Sequence, residues 1–203
     1  MKFIIYISKG RNFKEIELFL KNKKLKIYKK NKRKLYLKTN KKNIIIIIIK
    51  NIDFKNYLKN NLIDLMFIGL DVIINKSINL FLNYKFLKIN LFNLSIISNN
   101  NYKFFNYKKL NFWTKYKKIL KNYLEYKNIL KFSKIKNING SIENMCIFNK
   151  NLILDIISSG NTIKSNKLFK LKNIINLKNI IIYNNNIIFN KIFKFMENRY
   201  VKN

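Results

Sequence analysis

The sequence predicts an α/β protein with two lobes, each built on a mostly parallel sheet. Two observations lead to this class. Short β-branched runs alternate with segments of helical spacing along most of the 203 residues. The run Ile44–Ile49 consists entirely of isoleucine, which is typical of a parallel strand covered on both faces. We place the first lobe at residues 1–88 plus 184–203 and the second lobe at residues 89–183.

The first lobe is predicted from an alternation of strands and helices. The N-terminal strand precedes a helix that has Ile16, Phe19 and Leu20 on one face. Apolar runs that end at polar residues or glycine give the other strands. The predicted strands are Lys2–Ile7, Lys34–Leu37, Ile44–Ile49 and Leu65–Ile68, and the predicted helical segments are Asn12–Leu20, Phe54–Asn60, Asp71–Ile74 and Asn190–Tyr200.

The second lobe contains the clearest helical pattern of the chain. Aromatic and aliphatic residues recur every three or four positions through Thr114–Tyr126. The polar break at 99–101 and the turn Asn139-Gly140-Ser141 separate further elements. The predicted strands are Phe92–Ser98, Lys134–Ile138, the run beginning at Leu152, and Leu177–Tyr183, and the other predicted helix is Glu143–Phe148.

The charge of the chain is strongly basic. Lysine and arginine total 43 against 9 acidic residues, giving a formal net charge of +34. The lysines are scattered between apolar runs, which favours a solvated lysine surface that attracts anions, nucleotides included. The alternative is a basic nucleic-acid-binding protein such as a ribosomal component.

Several classes of protein are excluded by composition. The chain has no histidine and one cysteine, Cys146. An internal disulfide, a cysteine-based zinc site and histidine-dependent nucleophilic catalysis are therefore excluded. The isoleucine run is too short to span a bilayer, and Asp64 and Asp71 interrupt the apolar stretch at residues 62–74. We expect a cytoplasmic protein.

One segment has the features of a phosphate-binding loop. A short apolar strand carries Asp155, and a loop of small and hydroxyl-bearing residues leads into a helix predicted at Ile163–Leu168. Glycine lets the backbone approach an anion, and loop N–H groups and hydroxyls donate to it. The alternative is a structural turn with a serine cap. The loop residues are Ser158, Ser159, Gly160, Asn161 and Thr162.

Four segments, in order, resemble the catalytic subunit of the ATP phosphoribosyltransferase family, short form. The segment Ser8-Lys9-Gly10-Arg11 is similar to the family's S/P-K-G-R, and residues 64–72 are similar to D-L-G-I-V-G-x-D-V. Thr114-Lys115-Tyr116 matches T-K-Y. N-G-S-I-E from Asn139, followed by D-I-I-S-S-G-N-T from Asp155, matches the family's N-G-S-V-E and D-x-V-x-T/S-G-x-T. The resemblance covers nearly the whole chain.

The resemblance implies a fold, a reaction and a partner. The fold is like that of periplasmic binding proteins, with the active site in a cleft between the lobes. The reaction is the first step of histidine biosynthesis, in which this glycosyltransferase joins N1 of ATP to C1 of 5-phosphoribosyl pyrophosphate. Mg²⁺ is carried by the substrate phosphates, with no dedicated protein cage. The short form assembles with a regulatory subunit resembling histidyl-tRNA synthetase.

The resemblance also implies roles for individual residues. The loop Ser158–Thr162 binds the 5-phosphate of the phosphoribosyl donor, and Asp155 contacts the ribose hydroxyls. The residues implied in catalysis are basic. Lys9 and Arg11 face the phosphates of ATP or the leaving pyrophosphate, and Arg33 and Lys50 stabilise negative charge on the departing pyrophosphate. The residues implied in ATP binding are Lys9, Gly10, Arg11 and Glu143.

The sequence departs from the family pattern at several places, one of which is Asn151, where an acid is common in the family. Lys50 stands where the family has an arginine, so a point charge replaces a bidentate anion-binding group. Asn93-Leu94-Ser95 stands where many members have K-C-R, so two basic groups are missing. The resemblance therefore also admits a folded relative with reduced activity or none.

Overall fold

The computed structural model describes residues 2–10, 13–28, 35–51, 53–59, 63–76, 83–87, 92–100, 109–138, 145, 151–158 and 160–197. The chain divides into two compact units. Unit 1 contains Met1–Ile73, Ile78–Asn90 and Lys178–Asn203, and unit 2 contains Ile74–Ser77 and Leu91–Leu177. Each unit holds its own sheet, which confirms the predicted class of two α/β lobes.

Most of the described elements correspond to predicted ones. In chain order the strands are β1 (Phe3–Ser8), β2 (Ile27–Tyr28), β3 (Tyr36–Thr39), β4 (Ile44–Ile49), β5 (Leu65–Gly69), β6 (Asn83–Phe86), β7 (Phe92–Ser98), β8 (Leu110–Thr114), β9 (Ser133–Asn137), β10 (Leu152–Ile157), β11 (Phe169–Leu177) and β12 (Asn179–Tyr183). The helices are α1 (Phe13–Asn22), α2 (Phe54–Lys59), α3 (Leu70–Lys76), α4 (Lys117–Tyr126), α5 (Asn161–Ser165) and α6 (Asn186–Glu197). In the described part of the chain, none of these helices is long and apolar enough to cross a bilayer.

The sheet of unit 1 has the strand order β2-β3-β4-β1-β5-β12-β6. Its centre is parallel, because β1 pairs in parallel with both β4 and β5. The strands on either side of this centre are antiparallel to their neighbours. The sheet is therefore mixed, with a parallel core.

Helices cover both faces of this sheet. On one face, Ile5 and Ile7 of β1 pack in a cluster with α1 and α6. On the other face, Tyr6 of β1 packs in a second cluster with α2 and α3. Alternate residues of one strand thus enter two cores, which explains why the central strands are apolar without interruption.

The sheet of unit 2 has the order β11-β7-β10-β8-β9. Strands β10, β8 and β9 are parallel, and β7 is antiparallel to both of its neighbours. Helix α4 packs on one face through Ile119, Leu120 and Leu124. A smaller cluster, which includes Ile153 and Trp113, lies on the other face.

Several predicted boundaries are wrong. The helix predicted at Asn190–Tyr200 begins at Asn186. The chain returns to unit 1 at Lys178 and not near residue 184, because β12 pairs with β5 and β6 of the first sheet. The predicted helix Thr114–Tyr126 begins only at Lys117, because Thr114 is the last residue of β8. The predicted helix Glu143–Phe148 lies outside the described residues, apart from Met145.

Candidate functional site

Lys9 and Lys50 follow two neighbouring parallel strands of unit 1. Ser8 at the end of β1 is in register with Ile49 at the end of β4. The N–H of Lys9 donates to the carbonyl oxygen of Ile49 at 2.6 Å. Both lysine side chains are exposed. Two positive charges thus lie at the carboxyl edge of the sheet, where open α/β sheets bind ligands.

Gly10 turns the chain from β1 into α1. Its φ of +152° is a conformation that residues with a side chain rarely adopt, and a Cβ added there would meet nothing within 4 Å. Its carbonyl oxygen accepts the N–H of Phe13, the first residue of α1, at 3.2 Å. The backbone conformation, not the available space, accounts for glycine at this position.

Asp155 lies near the carboxyl end of β10 and is half-buried. Its Oδ1 accepts the N–H of Ile156 at 2.8 Å. On the antiparallel neighbour β7, its register partner is Ser95, so both side chains emerge on the same face of the sheet. The carboxylate therefore has a defined position just before the loop.

The loop after β10 turns at Gly160. This glycine has φ +74° and ψ 1°, in the left-handed region, and precedes the first residue of α5. Its carbonyl oxygen accepts the N–H of Lys164 at 3.0 Å. The helix begins at Asn161, earlier than the predicted Ile163–Leu168, so Asn161 and Thr162 belong to its first turn. Ser158, Asn161 and Thr162 are exposed, as a ligand-binding loop requires.

Thr114, from the T-K-Y segment, fixes β8 to the strand that carries Asp155. Its Oγ1 donates to the carbonyl oxygen of Leu154 at 2.9 Å, and the N–H of Tyr116 donates to the same Oγ1 at 2.8 Å. Thr114 is fully buried. Its role is therefore to position strands and the start of α4.

Uncharged polar side chains lie beside Asp155 on β7 and β11. The Oγ of Ser95 donates to Oδ1 of Asn173 at 3.4 Å, and Nδ2 of Asn173 donates to Oδ1 of Asn93 at 3.4 Å. Nδ2 of Asn173 also donates to Oδ1 of Asn176 at 2.6 Å. Asn93 and Ser95 are the positions of the two missing basic residues, so an amide and a hydroxyl occupy the β7 side of Asp155 in this chain.

The structure brings the predicted residues together in two groups. Lys9, Gly10 and Lys50 share an edge of the unit 1 sheet, and Asp155 lies with its loop at an edge of the unit 2 sheet. Four predicted residues lie outside the described residues: Arg11, Arg33, Glu143 and Ser159. Within the described ranges, no cluster of three or more His, Cys, Asp or Glu side chains could hold a metal ion.

The sequence did not predict the hydrogen bonds by which Thr114 joins β8 to β10. It also did not predict the polar side chains that surround Ser95. A serine inside the apolar run Phe92–Ser98 was the available signal, since a buried hydroxyl needs a partner. That partner, Asn173, lies on a strand that the sequence did not predict.

The two units and their sheets define a two-domain α/β protein of the periplasmic-binding-protein type. The regulatory domain of OxyR2 from Vibrio vulnificus has this fold, with a TM-score of 0.56, 6% identity and coverage of 97% of this chain and 94% of that one. The family model of ATP phosphoribosyltransferase (HisG) matches residues 50–198. The chain belongs to this family.

Individual relatives agree with this assignment. An ATP phosphoribosyltransferase of Brachyspira hyodysenteriae is 31% identical over 129 residues, which are 62% of this chain and 60% of the relative. The matched part therefore spans less than two thirds of that relative's length. A chain of the ATP phosphoribosyl transferase (HisG:HisZ) complex from Thermotoga maritima shares the fold, with a TM-score of 0.72, 23% identity and coverage of 96% of this chain and 95% of that one.

Proposed function

We propose that this chain transfers the phosphoribosyl group of 5-phosphoribosyl pyrophosphate to N1 of ATP, the first step of histidine biosynthesis. The proposal rests on one observation: Asp155 at the end of β10 is followed directly by the left-handed turn at Gly160. This arrangement occurs in a member of the ATP phosphoribosyltransferase family. This membership favours the transferase over the nucleic-acid-binding alternative.

The reaction is a substitution at C1 of the ribose. The lone pair of adenine N1 forms the new bond to C1, and the bond from C1 to the pyrophosphate oxygen breaks with its electron pair. Two highly charged substrates must meet, so positioning and charge neutralisation supply most of the rate enhancement. No side chain needs to form a covalent intermediate.

In this proposal, the loop holds the phosphoribosyl donor. The hydroxyls of Ser158 and Thr162 are exposed and can donate to the 5-phosphate, together with Ser159 and the loop N–H groups. The Asp155 carboxylate can accept hydrogen bonds from the ribose hydroxyls. These contacts orient C1 toward the incoming base.

Basic residues of unit 1 neutralise the leaving group. Lys9 and Lys50 are exposed at neighbouring strand ends, and we assign Arg11 and Arg33 to the same task on the family pattern. Mg²⁺ would be held mainly by the substrate phosphates, where it would supply further neutralisation, since Asp155 is the only carboxylate of the site among the residues that the structure describes.

We further propose that the chain assembles with a regulatory subunit resembling histidyl-tRNA synthetase. The support is the fold shared with a chain of the Thermotoga maritima HisG:HisZ complex. Transferase activity should therefore be measured with and without such a subunit.

An activity assay tests the proposed reaction. Pyrophosphate release is measured with both substrates and with each alone, for wild type, Asp155→Asn and the control Glu197→Gln, an exposed carboxylate at the end of α6. We expect release only with both substrates and a loss of about 100-fold in kcat/KM for Asp155→Asn, equivalent to one charged hydrogen bond of about 3 kcal/mol. Absence of release from wild type in both assembly states would contradict the proposal.

A further inference from the structure

A basic cavity lies in unit 2 at the carboxyl edge of its sheet. Its volume is about 550 Å³. The lining comes from α3, from the link after β8, from α4 and from the last residue of β9. Its cationic side chains are Lys115, Lys117, Lys118 and Lys121.

The local structure holds these lysines in a defined arrangement. Lys117 and Lys121 are one helical turn apart on α4, so their side chains share a face. The backbone at Lys115 is fixed because its carbonyl oxygen accepts Nδ2 of Asn75 at 3.0 Å. Lys121 also forms an exposed ion pair with Glu125 at 3.6 Å, an interaction of little energetic weight.

The cavity is lined by basic and amide side chains. The other lining residues in the described part of the chain are asparagines, and neither an acidic nor an aromatic side chain is among them. Proteins that hold single-stranded nucleic acid stack the bases on aromatic rings. Ammonium and amide donors without rings suit anionic oxygens, such as those of phosphate groups, without contacts to a base.

The cavity lies on the same sheet edge as the loop after β10. Leu154 of β10 is in register with Thr114 of β8, which is in register with Asn137 of β9, a lining residue. Two strand spacings separate Leu154 from Asn137, about 10 Å. Asn93 and Ser95 on the β7 side of Asp155 are uncharged, whereas Lys115 follows β8 and the other three lysines lie on α4, which packs on the face of the sheet that carries Leu154.

We propose that this cavity binds a short polyphosphate chain. Its volume is within the range of about 300–1,000 Å³ that is usual for small-molecule sites. A triphosphate or a pyrophosphate presents several charged oxygens to several ammonium groups at once. The proposal that the cavity binds polyphosphate does not depend on the transferase function. Only the identity of the polyphosphate, the triphosphate of ATP or the released pyrophosphate, rests on the proposed transferase function.

The direct test is titration of the full chain with inorganic tripolyphosphate at about 150 mM salt, where the screening length is about 8 Å. The variant is Lys117→Gln/Lys118→Gln/Lys121→Gln. The control is Lys127→Gln/Lys131→Gln/Lys134→Gln, which removes the same charge from exposed positions of unit 2 outside the lining. We expect the affinity to fall at least about tenfold in the variant and less than about twofold in the control.

Two further results would overturn the proposal. One is an equal loss of affinity in both triple variants, which would assign the binding to net charge. The other is a single-stranded RNA that displaces tripolyphosphate and binds more tightly through the same lysines. Circular dichroism checks folding, and arginine at all three positions should restore binding because it keeps the charge.

Competition identifies the source of the phosphates. Displacement of tripolyphosphate by ATP at lower concentration than by pyrophosphate assigns the cavity to the acceptor substrate, and the reverse order assigns it to the leaving group. Lysine-dependent binding of tripolyphosphate in a chain without transferase activity would support the proposed cavity and contradict the proposed function. Transferase activity without lysine-dependent binding of tripolyphosphate would support the proposed function and contradict the proposed cavity.

Discussion

The hydroxyl of Thr114 joins β8 to the carbonyl oxygen of Leu154 on β10, at a distance of 2.9 Å. The bond lies one residue before Asp155, and the same hydroxyl accepts the N–H of Tyr116 at 2.8 Å. One buried side chain thus connects the strand that carries the carboxylate with the start of the helix that lines the basic cavity.

Thr114→Val should lower the free energy of unfolding by about 1–3 kcal/mol, because it keeps the shape of the side chain but leaves a buried carbonyl and an N–H without their partner. Urea denaturation measures the change. Thr114→Ser is the matched control, since it keeps the hydroxyl and loses only a methyl group. Equal stability of the valine and serine variants would contradict the assigned hydrogen bonds.

Gly160→Ala should destabilise the loop by about 1–2 kcal/mol, because a Cβ disfavours the left-handed backbone. A Cβ at this position meets nothing within 4 Å, so the cost is conformational and not steric. Isothermal titration should show weaker binding of 5-phosphoribosyl pyrophosphate. Gly160→Asn is the control that tolerates positive φ better than alanine, so it should retain more affinity. A loss as large for asparagine as for alanine would count against this explanation.

The parts of the fold that were predictable are those with a strong local signal. The strands Ile44–Ile49 and Phe92–Ser98 have their predicted bounds. The first is apolar throughout, as is typical of a strand covered on both faces, and the second is mostly apolar and ends at a polar break. Strand β6 was not predicted, since its four residues are exposed and the alternation of Tyr84 and Phe86 with polar residues covers only two apolar positions. Strand β11 was also missed, because its polar–apolar alternation, regular from Phe169 to Lys172, is lost from Asn173 onward, and bulges interrupt its register with β7.

The candidate site also has a part that was predictable from the sequence and a part that was not. Asp155 and the glycine turn were predictable, because strand, turn and helix are consecutive in the sequence. The polar group of Ser95 and Asn173 was not, since it depends on the pairing of β7 with β11. Residues far apart in the chain meet there, and no local pattern encodes their contact.

Glu197 at the end of α6 should titrate below its usual range. A hydrogen bond from the Lys23 ammonium, at 2.7 Å, lowers the pKa of this carboxyl, and the charge of Lys23 lowers it further. Because the folded-state pKa is the lower one, the contribution of the pair is present above the unfolded-state pKa and is lost as pH falls through the folded-state value.

NMR titration of the Glu197 carboxyl carbon measures this shift. Lys23→Gln should return the midpoint toward the usual value, and Lys14→Gln, which removes an exposed lysine of α1, should leave it in place. A midpoint that is the same in wild type and Lys23→Gln would show that the ion pair does not form in solution.

Lys9 and Lys50 allow a test of position against net charge, because β1 and β4 carry lysines near both of their ends. Lys9 and Lys50 follow the carboxyl ends of the strands, whereas Lys2 and Lys42 precede their amino ends. If these lysines neutralise the leaving pyrophosphate as proposed, Lys9→Gln/Lys50→Gln should lower kcat/KM by about 10–100-fold and flatten its salt dependence. Lys2→Gln/Lys42→Gln removes the same charge from the opposite edge and should change kcat/KM by less than about threefold, since ligands bind at the carboxyl ends of parallel strands. Equal losses in the two double variants would mean that the chain attracts its substrates through its overall charge, and that these two lysines have no specific role at the site.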